Sequence, residues 1–182
     1  MTIAGVSGRA AYRWVQPDQA AVAAAYRPRG IQSGDEIAFV FIGASFCGAA
    51  TEAGFGDVVK EAIEMMAARV GGKYRLRTIG VSVDWSPRKG MDFLRRMADF
   101  DELIVGQNWL NTGVQHFARR NGAPLAVPSL LIVRREVVVG DNDVLVLHER
   151  LLLAEVGTKP IRDWLARGAP VEFGELGDAP SR

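Results

Sequence analysis

The chain has one cysteine, Cys47, in the stretch Gly43-Ala44-Ser45-Phe46-Cys47-Gly48-Ala49-Ala50. A thiol is the strongest nucleophile that a protein offers near neutral pH, provided that it loses its proton. The apolar run Ile37-Ala38-Phe39-Val40-Phe41-Ile42 leads into it, and a helix is expected to follow from Gly48. A sulfur at a helix N-terminus meets unpaired N–H groups and the positive end of the dipole, and both favour the thiolate. Gly48 lets another backbone approach closely. One cysteine cannot form an internal disulfide, which fits a reducing compartment.

Other chemistry-bearing residues have simpler readings beside their functional ones. Asp84 and Trp85 follow a second apolar run, Leu76 to Val83, so they share a sheet edge with Cys47. Asp84 is either a general base for the thiol or the cap of the next helix, and the cap is preferred. Trp85 and Trp109 either line a groove or pack in the core. His116 and His148 have no partner at metal-ligand spacing, so no metal site is expected. Ser45 lacks the GxSxG setting of a serine nucleophile. The glycines from Gly43 to Gly56 match neither a P-loop nor a dinucleotide fingerprint.

These residues need a scaffold. Ile37 to Ile42 and Leu76 to Val83 read as strands buried on both faces. Phe55, Val58, Val59, Ala62, Ile63, Met66 and Val70 form one helical stripe, closed by Gly71-Gly72. Gly90 to Ala98 is a second helix, Leu103 to Val105 a short strand, and Thr112 the cap of a helix running to about Arg120. Leu130 to Val133 and Glu136 to Val139 are strands. Gly140-Asp141-Asn142-Asp143 is a hairpin turn, and Val144 to Leu147 is the return strand. Thr158-Lys159-Pro160 opens a last helix, Ile161 to Ala166, stopped by Gly168. This order predicts an α/β domain, a mixed central sheet with helices on both faces. Residues 1–34 form an N-terminal extension with a short Ala-rich helix at 19–26, residues 35–170 the domain, and residues 171–182 a flexible tail.

The order of motifs resembles the thioredoxin superfamily. Phe46-Cys47-Gly48-Ala49-Ala50 is similar to the WCGPC signature, and Ala126-Val127-Pro128-Ser129 before a strand resembles the loop that holds the family's cis-proline. The extra strand and helix between Asp84 and Ala126 resemble the peroxiredoxin and TlpA-like branch. The resemblance spans roughly Ile37 to Ala166. It implies a thioredoxin-like fold, Cys47 as nucleophile, and Phe46, Gly48, Val127 and Pro128 around the incoming group. Pro128 would lie beside Cys47 in a cis peptide, and the Val127 main chain would pair with a bound peptide or glutathione backbone.

The departures are equally specific. Ala50 replaces the second cysteine and Ala49 the proline between the two. Phe41 stands where many thioredoxins bury an aspartate, and Gly80 lies near the place of its lysine partner. Val40 and Ala44 replace the Pro and the Thr or Ser of peroxiredoxins. A lone thiol can form a mixed disulfide and then needs an outside thiol, such as glutathione, to release it. The sequence therefore points to a monothiol disulfide-exchange protein acting on a protein or small-molecule disulfide, with no prosthetic group. The competing readings are a binding or scaffold protein that kept only the fold, and a stoichiometric redox sensor. Turnover is thus undecided from sequence.

Composition excludes other classes. Of 182 residues, 48% are hydrophobic and 24% charged, and 22 basic against 21 acidic residues leave a net charge of +1. That balance gives no electrostatic case for nucleic acid. Arg95-Arg96, Arg119-Arg120 and Arg134-Arg135 are read as solvated faces in preference to anion sites. The N-terminus has no signal-peptide pattern, and no run approaches about 18 apolar residues, so a cytoplasmic protein without membrane partners is expected. A homo-oligomer is left open.

Overall fold

A computed structural model describes residues 32–140 and 144–174. The expected helix at 19–26, and most of the terminal extension and tail, lie outside the described residues. Five strands form one sheet: β1 (Gly34–Gly43), β2 (Arg75–Ser82), β3 (Glu102–Ile104), β4 (Ser129–Val139) and β5 (Val144–Val156), in the order β3-β2-β1-β4-β5. β1, β2 and β3 run parallel, and β4 is antiparallel to both β1 and β5. The helices are α1 (Phe55–Val70), α2 (Pro87–Met97) and α3 (Thr158–Ala166), with a π-helix over Val114–Arg119.

The alternation of β1 builds two cores. Ile37, Phe39 and Phe41 point to one face, where α1, α2 and α3 bury Phe55, Val59, Met66, Phe93, Leu94 and Trp164. Ala38, Val40 and Ile42 point to the other, where the π-helix buries Val114, Phe117 and Ala118. Both faces of β1 are therefore dry, which is why its sequence shows no polar alternation. A β-α-β unit (β1, α1, β2) joined to a β-β-α unit (β4, β5, α3) about a mixed sheet is a thioredoxin-like α/β fold, here with α2, β3 and the π-helix inserted between the halves.

Several elements differ from the sequence expectation. The π-helix replaces the α-helix expected from Thr112: Arg120 N–H donates to Gln115 O, and Ala123 N–H donates to Ala118 O. Thr112 does not cap it. The Asn111 side chain fixes the approach to it, accepting from Gly113 N–H at 2.8 Å and donating to Gly106 O and Ser82 O. β4 is one continuous strand, and β5 runs well past Leu147 to Val156. The β4–β5 register shifts between Ile132 and Val133 and again between Arg134 and Glu136, and His148 adopts φ 47°. These bulges hid the length of β5 by breaking its period-two pattern. α2 starts earlier than expected, with Pro87 in its first turn and the Ser86 hydroxyl accepting from Lys89 N–H.

Two basic pairs have structural partners. Arg134 reaches Asp35 at 2.9 Å and the Phe173 carbonyl at 3.0 Å. Arg135, fully buried, donates twice to Glu36, tying β4 to β1. Arg95 and Arg96 sit in the last turn of α2, where a cation suits the helix dipole.

Candidate functional site

Cys47 lies just past the C-terminal end of β1, in a run of turns and not at a helix start. Its own N–H donates to Ala44 O at 3.2 Å, and Thr51 N–H donates to Cys47 O at 3.0 Å. α1 begins only at Phe55, after Gly54 in the left-handed conformation (φ 78°). A positive φ cannot belong to a right-handed helix, and the Thr51 hydroxyl competes for the carbonyls of Cys47 and Gly48. The expected helix from Gly48 is therefore absent. Cys47 precedes the first residue of α1 by a run of turns.

Other groups hold Cys47 in place. The thiol is half-buried, packs at the margin of both cores, and donates to the Val127 carbonyl at 3.4 Å. The Val127–Pro128 peptide is cis, and Pro128 is buried. The loop is pinned on both sides: Ser129 Oγ donates to Ala126 O at 2.6 Å, and Gly157 N–H donates to Pro128 O at 2.8 Å. The sequence-derived residues Cys47, Val127 and Pro128 thus come together from β1's end and the loop before β4. Phe46 is 63% exposed beside them, and a Cβ on Gly48 would meet nothing within 4 Å. Gly48 faces open space.

Asp84 does something that sequence reasoning missed. It is buried at the end of β2 and caps no helix, because Ser86 takes that place. Its carboxylate accepts from Ser45 N–H at 2.9 Å, from Ser45 Oγ at 2.6 Å and from Ser82 Oγ at 2.7 Å. Burial is the largest influence on this carboxyl and pushes it up. The bonds from the Ser45 hydroxyl, the Ser45 amide and the Ser82 hydroxyl, with the Lys89 charge, outweigh it and hold the group below the usual carboxylate range. A carboxylate so engaged is a poor base for Cys47. The one available signal was Ser82-x-Asp84, whose spacing puts both side chains on one face of the strand.

The positions at which the sequence departs from the thioredoxin motifs are apolar. Ala50 is fully buried in the core. Phe41 packs on Phe55, Phe93 and Phe100 at centroid distances of 6.2, 6.3 and 6.2 Å. A Cβ on Gly80 would come within 2.8 Å of the Phe100 ring, so the glycine makes room for it.

Trp85 is 71% exposed, so it is not core packing, whereas Trp109 is half-buried against the second core. His116 is buried, bonded to Glu149 at 2.8 Å, and Glu149 also accepts from Asn121 at 3.0 Å. His148 is exposed, 3.9 Å from Glu136. Among the described residues no cluster of three or more His, Cys, Asp or Glu side chains is arranged to hold a metal ion. No described helix is long and apolar enough to cross a membrane.

The fold and the surroundings of the thiol define a thioredoxin-like domain with one cysteine at the turn after its central strand. No family model and no curated protein matches the sequence. Among solved structures, the chain is similar to a Chlorobium tepidum protein given the name thiol:disulfide interchange protein DsbE. The two share 15% identity over 74% of this chain and 81% of the other, with a TM-score of 0.39. The fold assignment rests on strand order and direction, not on that superposition.

Proposed function

We propose that this chain is a single-cysteine thiol–disulfide exchange protein of the thioredoxin superfamily. The observation that carries the reading is the half-exposed Cys47 sulfur, 3.4 Å from the carbonyl that precedes Pro128, at the carboxyl edge of the sheet. In the first step Cys47 loses its proton to solvent and attacks one sulfur of a disulfide. A bond forms between Cys47 Sγ and that sulfur, and the other leaves as a thiolate. Cys47 is oxidised and the departing sulfur reduced. In the second step an outside thiol such as glutathione attacks the mixed disulfide and frees Cys47. Phe46, Gly48, Val127 and Pro128 shape the approach, and the substrate is a protein or small-molecule disulfide. A reducing compartment such as the cytoplasm suits this cycle.

A scaffold reading has its own support: the aromatic cluster around Phe41 and the buried Ala50 leave no second redox group. Intact mass and product formation, with excess disulfide and then glutathione, separate the readings. Repeated turnover, lost in Cys47→Ala, is the expected result. One stoichiometric adduct without turnover describes a sensor. No adduct on the native protein describes a scaffold and contradicts the proposal.

A further inference from the structure

Asp84 accepts two hydrogen bonds from the turn that carries Cys47 and a third from Ser82, yet nothing in the exchange cycle above uses it. The three hydrogen bonds that its carboxylate accepts come from two different strand ends. Ser82 belongs to β2, and Ser45 belongs to the turn that carries Cys47. Just before that turn, Val83 N–H donates to Gly43 O at 3.0 Å and extends the parallel ladder. After Gly43 no ladder remains, and the Asp84 carboxylate takes over the link between β2 and the turn. Two bonds on Ser45, one to its amide and one to its hydroxyl, fix both the position and the rotation of that residue. Cys47 is two residues on and is held at its far side by Val127 O. Gly90 completes the arrangement, since a Cβ there would stand 2.6 Å from Ser82 Oγ.

We infer that Asp84 is a positioning residue, which acts through Ser45 to hold the Cys47 sulfur in line for attack on a disulfide seated against the Val127–Pro128 loop. The inference rests on the exchange reading proposed above. Thiolate attack on a disulfide needs the three sulfurs nearly collinear, so it is sensitive to where the attacking sulfur stands. Alkylation by a small reagent free to approach from solvent makes no demand on the loop. The balance of the exchange step is unchanged: Asp84 neither gives nor takes a proton, and the disulfide remains the oxidant.

The test compares two rates on the intact chain, below its melting transition: reaction with an aromatic disulfide and with iodoacetamide, both read at Cys47 by intact mass. In Asp84→Asn and Ser45→Ala the ratio of disulfide to iodoacetamide rate is expected to fall about tenfold, because an ångström of misplacement costs on the order of a hundredfold. Ser45→Thr, which keeps the hydroxyl and the amide, is expected to restore it. General loosening would speed both reagents together and leave the ratio unmoved. If Asp84→Asn fails to fold, Ser45→Ala decides alone, since it keeps the Ser82 contact. An unchanged ratio in the folded variants overturns the inference. A wild type that reacts with iodoacetamide but never with the disulfide removes the exchange reading as well.

Discussion

At the scale of single residues, the thiol's surroundings are defined as much by apolar packing as by hydrogen bonds. Phe41 packs its ring against those of Phe55, Phe93 and Phe100. Its role is therefore packing, and Phe41→Ala should cost about 3–5 kcal/mol of stability. Urea unfolding checks this, and the variant, where still folded, should keep its disulfide chemistry. Cys47 was singled out as the one cysteine at the end of an apolar run, and Val127 and Pro128 came only from the resemblance of Ala126-Val127-Pro128-Ser129 to the thioredoxin cis-proline loop. Ser45 was not legible, because its only distinguishing feature is a bond to Asp84, far along the chain. Long-range side-chain pairing leaves no local pattern to read.

At the scale of elements, buried runs were easy to place and irregular ones were not. β1 and α1 have strong, simple patterns, continuous for β1 and helical for α1, and the structure keeps both. The π-helix could not be told from an α-helix, because the period of its apolar residues is nearly the same and packing selects the bonding. The same element carries His116, whose bond to Glu149 ties it to β5. Burial pushes the Glu149 carboxyl up, but the bond to His116, the His116 charge, Asn121 and Arg135 hold it below its ordinary value. A depressed carboxyl stabilises the fold above its unfolded value, about 4.5, and that stability is lost as pH falls through the lower folded value. Glu149→Gln should therefore cost roughly 1.5–3 kcal/mol at neutral pH, the worth of a hydrogen bond to a charged group. The difference from wild type should shrink in acid, as denaturant midpoints at the two pH values would show. A difference that stays constant would mean that the carboxylate charge contributes nothing.

At the scale of the whole molecule, the strand pattern and the order of turns were enough to predict a mixed sheet with helices on both faces. The two halves meet where β1 ends and β4 begins, so the thiol and the Pro128 loop are brought together by the fold itself. The Glu36–Arg135 pair ties β1 to β4 near the opposite end of the sheet. What the sequence misplaced was the helix start: α1 begins at Phe55, and Cys47 stands in the run of turns before it. The most direct test is the rate at which native Cys47 takes up an aromatic disulfide at neutral pH, set against the rate of the same chain unfolded in denaturant. A poised site predicts a native rate at least equal to the unfolded one, with a single mixed disulfide by intact mass and none in Cys47→Ala. A sulfur that reacts only after unfolding would contradict the account and leave Cys47 as a packing residue in a thioredoxin-like scaffold.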